Sequence, residues 1–84
     1  MTIVDVRSAD EYSAGHVPGA RNFPLDSIES EIPGFHHKDP LVIVCRTGVR
    51  SESACKKLMG THDNLFNLVG GTSAWLEAGL PIER

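Results

Sequence analysis

The chain lacks the features that mark membrane, disulfide-rich and nucleic-acid-binding proteins. Its 84 residues include only two cysteines, and no apolar run approaches the roughly 18 residues that cross a membrane. Nothing at the start resembles a signal peptide, because Asp5 and Arg7 interrupt the only apolar stretch there. Basic residues are fewer than acidic ones, and the net charge of −3 argues against a partner held by its phosphates. We therefore expect a cytoplasmic protein with neither a membrane nor a nucleic-acid partner.

The two cysteines and the histidines fit neither a zinc site nor a disulfide. Cys45 and Cys55 fall short of any four-ligand zinc pattern, and His36, His37 and His62 have no third ligand at a useful spacing. Cys45 is predicted at a strand end and Cys55 about two turns into the next helix, on the order of 10 Å along its axis. That separation exceeds disulfide reach. We expect free thiols and no bound metal.

Strands and helices alternate along the chain and predict one α/β domain over residues 1–84. Short apolar, β-branched runs predict strands, and capped segments of helical period predict helices. The expected strands are residues 2–6, 20–23, 41–45 and 65–69. The expected helices are a short one capped by Ser8 that runs through 9–12 and is ended by Gly15, then 26–32, 48–59, and one capped by Thr72 or Ser73 and ended by Gly79. This order implies a mainly parallel central sheet with helices on both faces. Ligands of such sheets bind at the carboxyl ends of the strands.

The loop that begins at Cys45 is the strongest functional signal in the chain. Cys45 directly follows the buried strand Leu41–Val44 and precedes Arg46-Thr47-Gly48-Val49-Arg50-Ser51. Because a helix begins there, the backbone N–H groups of residues 46 to 50 can converge on one point and hold an anion. Arg46 and Arg50 add positive charge, so we expect the pKa of the Cys45 thiol to lie well below its free value of roughly 8.5. A thiolate in an anion site is a nucleophile, and this interpretation is favoured over a merely structural cysteine.

The spacing within this loop separates two kinds of cysteine chemistry. Phosphoester hydrolysis uses a Cys-x5-Arg loop, which is wide enough to wrap a phosphate. Here Arg50 follows Cys45 after four residues, and Ser51 stands where that arginine would be. The shorter loop suits a single sulfur atom at its centre. A cysteine-dependent phosphatase or arsenate reductase is therefore the least favoured alternative.

Three stretches of the chain resemble the rhodanese family of sulfurtransferases, in order and over nearly the whole length. They are Ile3-Val4-Asp5-Val6-Arg7 with the Gly15–Asn22 region, the Cys45–Ser51 loop, and Gly70-Gly71-Thr72-Ser73-Ala74-Trp75 followed by Gly79-Leu80-Pro81. The resemblance implies a rhodanese-like fold. It also implies that Cys45 accepts a sulfane sulfur as a persulfide and passes it to a thiophilic acceptor. The N–H groups of residues 46 to 50 would hold the persulfide anion.

The resulting prediction is a rhodanese-type sulfurtransferase, which moves sulfane sulfur from thiosulfate or another persulfide donor through a Cys45 persulfide. Cys45 is the expected catalytic residue, and the expected substrate-binding residues are Arg46, Thr47, Gly48, Val49 and Arg50. The expected partners are a small anionic donor and a thiol or cyanide acceptor, with a protein sulfur acceptor as a further candidate, and no cofactor is expected. The alternative is a persulfide carrier or regulatory binding module without turnover. Turnover with a small acceptor, measured without any partner, discriminates the two.

Other polar residues near these motifs are given supporting roles. Asp5 is expected to brace loops through hydrogen bonds, and Arg7 to pair with an acid such as Glu11. Ser51 is expected to support the Cys45 loop. Cys55 lies on the predicted buried face of its helix, where core packing is favoured over a role in sulfur relay.

Overall fold

The computed structural model describes residues 2–28, 40–46, 49–59, 62, 64–68 and 70–84. The strands are β1 (Thr2–Asp5), β2 (Arg21–Asn22), β3 (Leu41–Val44) and β4 (Leu65–Asn67). The helices are α1 (Ala9–Ala14), α2 (Val49–Leu58) and α3 (Gly71–Glu77), with a short 3-10 helix at Leu25–Ser27. Most of the helix expected at 26–32 lies outside the described residues, as do Thr47, Gly48 and Val69.

The four strands formed by the described residues run parallel in one sheet, which confirms the predicted fold class. The strand order is β2-β1-β3-β4. Asp5 at the end of β1 lies opposite both Asn22 of β2 and Val44 of β3. Ile43 of β3 pairs in turn with Asn67, the last residue of β4. Because the strands are parallel, their carboxyl ends share one edge, which we call the carboxyl edge of the sheet.

Helices cover both faces of this sheet because successive strand side chains point to opposite sides. On one face, α2 contributes to a core that contains Val4, Val6, Ile28, Leu41, Ile43, Ala54 and Leu58. On the other face, Tyr12 of α1 and Trp75 of α3 pack near Val17, Ala20 and Val44. The continuous apolar run of β3 is therefore explained by burial on both sides. None of the helices in the described part of the chain has the length and apolar character needed to span a bilayer.

Helix α1 begins with the capping box that the sequence predicts. The Ser8 hydroxyl oxygen accepts a hydrogen bond from the Glu11 backbone N–H, at 3.3 Å, and Glu11 Oε1 accepts one from the Ser8 N–H, also at 3.3 Å. These bonds satisfy N–H groups that the helix itself leaves unpaired. They also fix the Glu11 side chain in the first turn of α1.

The start of α3 differs from the prediction that Thr72 or Ser73 provides a side-chain cap. Gly70 is the N-cap residue, and no side chain caps the helix. The Thr72 N–H donates instead to the carbonyl of Cys45, at 2.8 Å, and the Ser73 N–H donates to that of Arg46, at 2.9 Å. The first N–H groups of a helix need partners from outside it. Here the loop after β3 supplies them, which a local sequence pattern does not reveal.

Candidate functional site

Cys45 lies at the carboxyl edge of the sheet, directly after β3, and only 1% of its surface is exposed. The start of α3 holds its backbone carbonyl twice, through the Thr72 N–H at 2.8 Å and the Thr72 hydroxyl at 3.2 Å. Gly71 makes this approach possible, since a Cβ there would lie 2.2 Å from the Cys45 carbonyl oxygen. The third motif of the sequence therefore positions the backbone of the second.

A polar network reaches the Cys45 sulfur from α2 and β4. Cys45 Sγ lies 3.4 Å from the hydroxyl oxygen of Ser51, which is fully buried in the first turns of α2. The Ser51 hydroxyl also donates to Asn67 Oδ1 at the end of β4. Ser51 is among the residues that the sequence singles out, whereas Asn67 is not. The sequence feature that could have identified Asn67 is its position as a polar residue at the carboxyl end of a parallel strand.

Asp5 and Arg7 form a buried ion pair, so the expected pairing of Arg7 with Glu11 is wrong. Asp5 is fully buried, and its carboxylate accepts from Arg7 Nη2 at 2.7 Å, from Arg7 Nε at 3.0 Å and from the Arg7 backbone N–H at 3.0 Å. Arg7 Nη2 also donates to the Gly15 carbonyl, at 2.8 Å. A buried carboxylate needs a paired cation, and Arg7 is the cation within reach. The pair links the segment after β1 to the end of α1.

Glu11 is paired instead with Arg50, across 39 positions of the sequence. Arg50 Nη1 and Nη2 donate to the two Glu11 carboxylate oxygens at 2.7 and 2.8 Å, which is a bidentate arrangement. Hydrogen bonds from Arg50, together with bonds from Ser8, lower the pKa of Glu11 from 4.5 to about 2 although partial burial opposes this. Hydrogen bonding to Glu11 raises the pKa of Arg50, and the charges of Cys45 and Asp5 act in the same direction. Arg50 is therefore close enough to Cys45 for their charges to interact, but both of its Nη atoms are hydrogen-bonded to Glu11.

Two open clefts lie on either side of the Glu11–Arg50 pair. The first, which we call the Arg46 cleft, has a volume of about 260 Å³ and is lined by Arg7, Glu11, Arg46, Thr72 and Ser73 among others. The second, the Leu25 cleft, has a volume of about 310 Å³ and is lined by Val6, Ser8, Leu25 and Arg50 among others. Arg46 is exposed and enters none of the ion pairs of the described chain. The Arg46 cleft therefore offers a positive charge next to the Cys45 loop.

The expected substrate-binding residues are thus placed only in part. Val49 and Arg50 are the first two residues of α2, and Arg46 lies in the loop before it. Thr47 and Gly48 lie outside the described residues. The cradle of N–H groups from residues 46 to 50 remains a prediction for that reason. Among the described residues there is also no cluster of three or more His, Cys, Asp or Glu side chains that could hold a metal ion.

The two cysteines have different environments. Both are free thiols, with Cys45 buried in the site and Cys55 half-buried on α2 against the core. Burial raises the pKa of the Cys55 thiol above 9.0, and the charge of Glu52 adds to the effect. A thiol with a raised pKa is a poor nucleophile at neutral pH. This favours the packing role for Cys55 over sulfur relay.

The depressed pKa of Glu11 predicts a pH-dependent contribution to stability. Its folded pKa of about 2 lies below its ordinary 4.5, so the stabilisation is full above pH 4.5 and is lost as the pH falls towards 2. We expect Glu11→Gln to cost about 1 kcal/mol at pH 7, since the pair is partly exposed, and clearly less at pH 3. Urea denaturation at both pH values measures this difference. Glu52→Gln, which removes an exposed pair with Lys56, is the control with a cost below about 0.5 kcal/mol. An equal cost of Glu11→Gln at both pH values would contradict the assigned pairing.

The sequence is similar to a known domain family and to proteins that carry it. The profile of the rhodanese-like domain family matches residues 1–78. The chain is 42% identical over 83 residues to a protein of Allochromatium vinosum named sulfurtransferase. The aligned stretch covers 98% of this chain and 78% of that protein. This chain is also 36% identical to the thiosulfate sulfurtransferase GlpE of Shewanella oneidensis, and the match covers 93% of this chain and 78% of GlpE.

Solved structures give the same result at the level of the fold. A rhodanese-related protein from Thermoplasma volcanium superposes with a TM-score of 0.90 at 26% identity, over 98% of this chain and 82% of the other. A rhodanese-like domain protein from Staphylococcus aureus superposes with a TM-score of 0.86 at 34% identity, over 100% of this chain and 82% of the other. The parallel sheet and its flanking helices are therefore shared with these proteins.

Proposed function

The chain belongs to the rhodanese-like domain family, and we propose that it is a sulfurtransferase that carries sulfane sulfur on Cys45 from a donor to a thiophilic acceptor. Relatives named sulfurtransferase and thiosulfate sulfurtransferase support this proposal. The observation that carries it is the placement of Cys45, between the end of a buried parallel strand and the start of α2, with its carbonyl held by α3. The cycle needs Cys45 in the reduced state, which fits a cytoplasmic location.

The proposed reaction has two displacement steps at sulfur. The Cys45 thiolate attacks the outer sulfur of thiosulfate, and a bond forms between Cys45 Sγ and that sulfur. The bond between the outer sulfur and the sulfite sulfur breaks, and sulfite leaves with its electron pair. The acceptor, a thiolate or cyanide, then attacks the terminal sulfur of the persulfide. This step returns the Cys45 thiolate and releases a new persulfide or thiocyanate. Atoms and electrons balance without a redox cofactor.

The residues around Cys45 have distinct proposed roles in this cycle. Backbone N–H groups of residues 46 to 50, Thr47 and Gly48 included, hold the negative charge of the thiolate and of the persulfide. Ser51 supplies a hydroxyl within reach of the sulfur. Arg46 attracts the anionic donor into its cleft, and Arg50 contributes positive field at the start of α2. Asp5 and Arg7 support the site by fixing the segment that follows β1.

Turnover without any protein partner tests the proposal. The purified chain should convert thiosulfate and cyanide to thiocyanate over many cycles, as measured by the coloured iron complex of thiocyanate. Cys55→Ala is the matched control: it should retain most activity and cost roughly 1 kcal/mol in stability, because it truncates a half-buried side chain that packs against the core. Loss of activity in that variant without loss of fold would support sulfur relay through Cys55 instead.

A second candidate function is persulfide carriage without turnover. The chain is 32% identical to a Bacillus subtilis protein named putative sulfur carrier protein YrkF, of which it spans 41%. A carrier would load one sulfur per chain and release it to a protein partner. Single-turnover loading with no steady-state thiocyanate production would favour this function over catalysis.

A further inference from the structure

The Glu11–Arg50 pair joins the first turns of α1 and α2 across the carboxyl edge of the sheet. Glu11 lines the Arg46 cleft, whereas Arg50 lines the Leu25 cleft. Since the two side chains are bonded at 2.7 and 2.8 Å, the pair forms the wall between the clefts. A small anion that approaches from either cleft therefore meets one member of this pair.

The Glu11 carboxylate offsets the positive charge of Arg50. Both Arg50 Nη atoms are bonded to the Glu11 carboxylate, and the pKa of Glu11, at about 2, keeps that carboxylate ionised at neutral pH. The charge of Cys45 interacts favourably with Arg50. Arg46 is then the cation that the described site presents without an ion-pair partner.

We propose that Glu11 is a specificity-determining residue, which occupies Arg50 and thereby disfavours dianionic donors such as thiosulfate relative to donors of lower charge such as organic persulfides. The proposal rests on the proposed function, and it names the donor class of the same site. A dianion has to displace the Glu11 carboxylate before it gains bidentate bonds from Arg50. A monoanion needs less positive charge, which Arg46 can provide. Discrimination therefore arises from a carboxylate that competes with the substrate.

A Glu11→Gln substitution separates this role from the structural role of Glu11. Glu11 also closes the capping box with Ser8. Glutamine serves equally well at that position of a capping box, because its side-chain oxygen accepts the same N–H bond. The substitution therefore removes the charge that holds Arg50 and keeps the start of α1. Glu52→Gln is the matched control, since it removes one negative charge from an exposed side chain two residues from Arg50.

The first test needs no sulfur transfer. Iodoacetate and iodoacetamide both alkylate the thiolate, so the ratio of their rates at one pH cancels any change in the pKa of Cys45. The adduct on Cys45 is quantified by peptide mass, which separates it from reaction at Cys55. We expect Glu11→Gln to raise the ratio of iodoacetate to iodoacetamide rates roughly fivefold, because it frees a positive charge near the sulfur. Glu52→Gln should change the ratio less than twofold. Equal effects of the two variants, or none, would overturn the proposal.

The second test compares two donors with the same reacting sulfur. Thiosulfate is a dianion and releases sulfite, whereas methanethiosulfonate is a monoanion and releases methanesulfinate; each leaves one sulfur on Cys45. Glu11→Gln should raise kcat/KM for thiosulfate about tenfold relative to methanethiosulfonate. An unchanged ratio of kcat/KM would refute the specificity role. Absence of turnover with both donors would refute the proposed function, and the alkylation ratio would still decide the role of Glu11.

Discussion

Replacing Cys45 by serine is expected to abolish sulfur transfer, with a loss of at least about a thousandfold in turnover. Serine is nearly isosteric, but its hydroxyl cannot form the persulfide that links the two half-reactions. The fold should persist, because the serine hydroxyl can replace the sulfur in the hydrogen bond with Ser51. Thiocyanate production by the variant and by the wild type measures the loss.

Thermal unfolding of the same samples provides the necessary control for Cys45→Ser. The unfolding midpoint should move by only a few degrees, since the α3 contacts with residue 45 involve its backbone carbonyl and not its side chain. Substantial residual turnover in a folded variant would show that another group is the nucleophile.

Replacing Gly71 by alanine is expected to have the largest effect on stability. Gly71 has a φ of +56°, which costs an alanine roughly 1–2 kcal/mol. The added Cβ would also lie 2.2 Å from the Cys45 carbonyl oxygen and 2.8 Å from the Arg46 carbonyl oxygen. Neither backbone atom can move without shifting the loop or α3, so overpacking adds about 1–3 kcal/mol. We expect a total loss of about 2–5 kcal/mol, measured by urea denaturation, and a loss of sulfur transfer in the protein that remains folded.

Gly79→Ala is the matched control for this substitution. Gly79 has a similar φ of +73°, but a Cβ there meets no atom within 4 Å. Its cost should be limited to the backbone term of roughly 1–2 kcal/mol, with activity retained. The difference between the two variants isolates the contact between α3 and the Cys45 loop. Equal costs would mean that this close approach does not stabilise the protein.

The elements that depend on local sequence could be predicted with good accuracy. The β-branched run Leu41–Val44 predicts a strand that is buried on both sides, and the structure places it in the middle of the sheet. The capping box at Ser8 and Glu11 predicts the start of α1. Helical spacing predicts the buried face of α2, on which Ser51, Ala54 and Leu58 are buried and Cys55 is half-buried. In each case the residues that determine the structure lie within a few positions of one another.

The pairing of charges could not be predicted in the same way. The sequence favours a pairing of Arg7 with an acid such as Glu11, yet Arg7 binds Asp5 and Glu11 binds Arg50. Which carboxylate an arginine meets depends on which carboxylate is buried, and burial is a property of the assembled sheet. Asn67 was missed for a related reason, since its contact with Ser51 joins β4 to α2. The Glu11–Arg50 and Ser51–Asn67 contacts form only when separate elements pack together at the carboxyl edge.

The intact mass of the purified chain shows whether Cys45 carries the transferred sulfur. After incubation with thiosulfate and removal of excess donor, the wild-type protein should gain the mass of one sulfur atom, which peptide mapping should locate on Cys45. Cyanide should remove this sulfur, and Cys45→Ser should never acquire it. The absence of any added sulfur on Cys45, or its presence on Cys55 alone, would contradict the assignment.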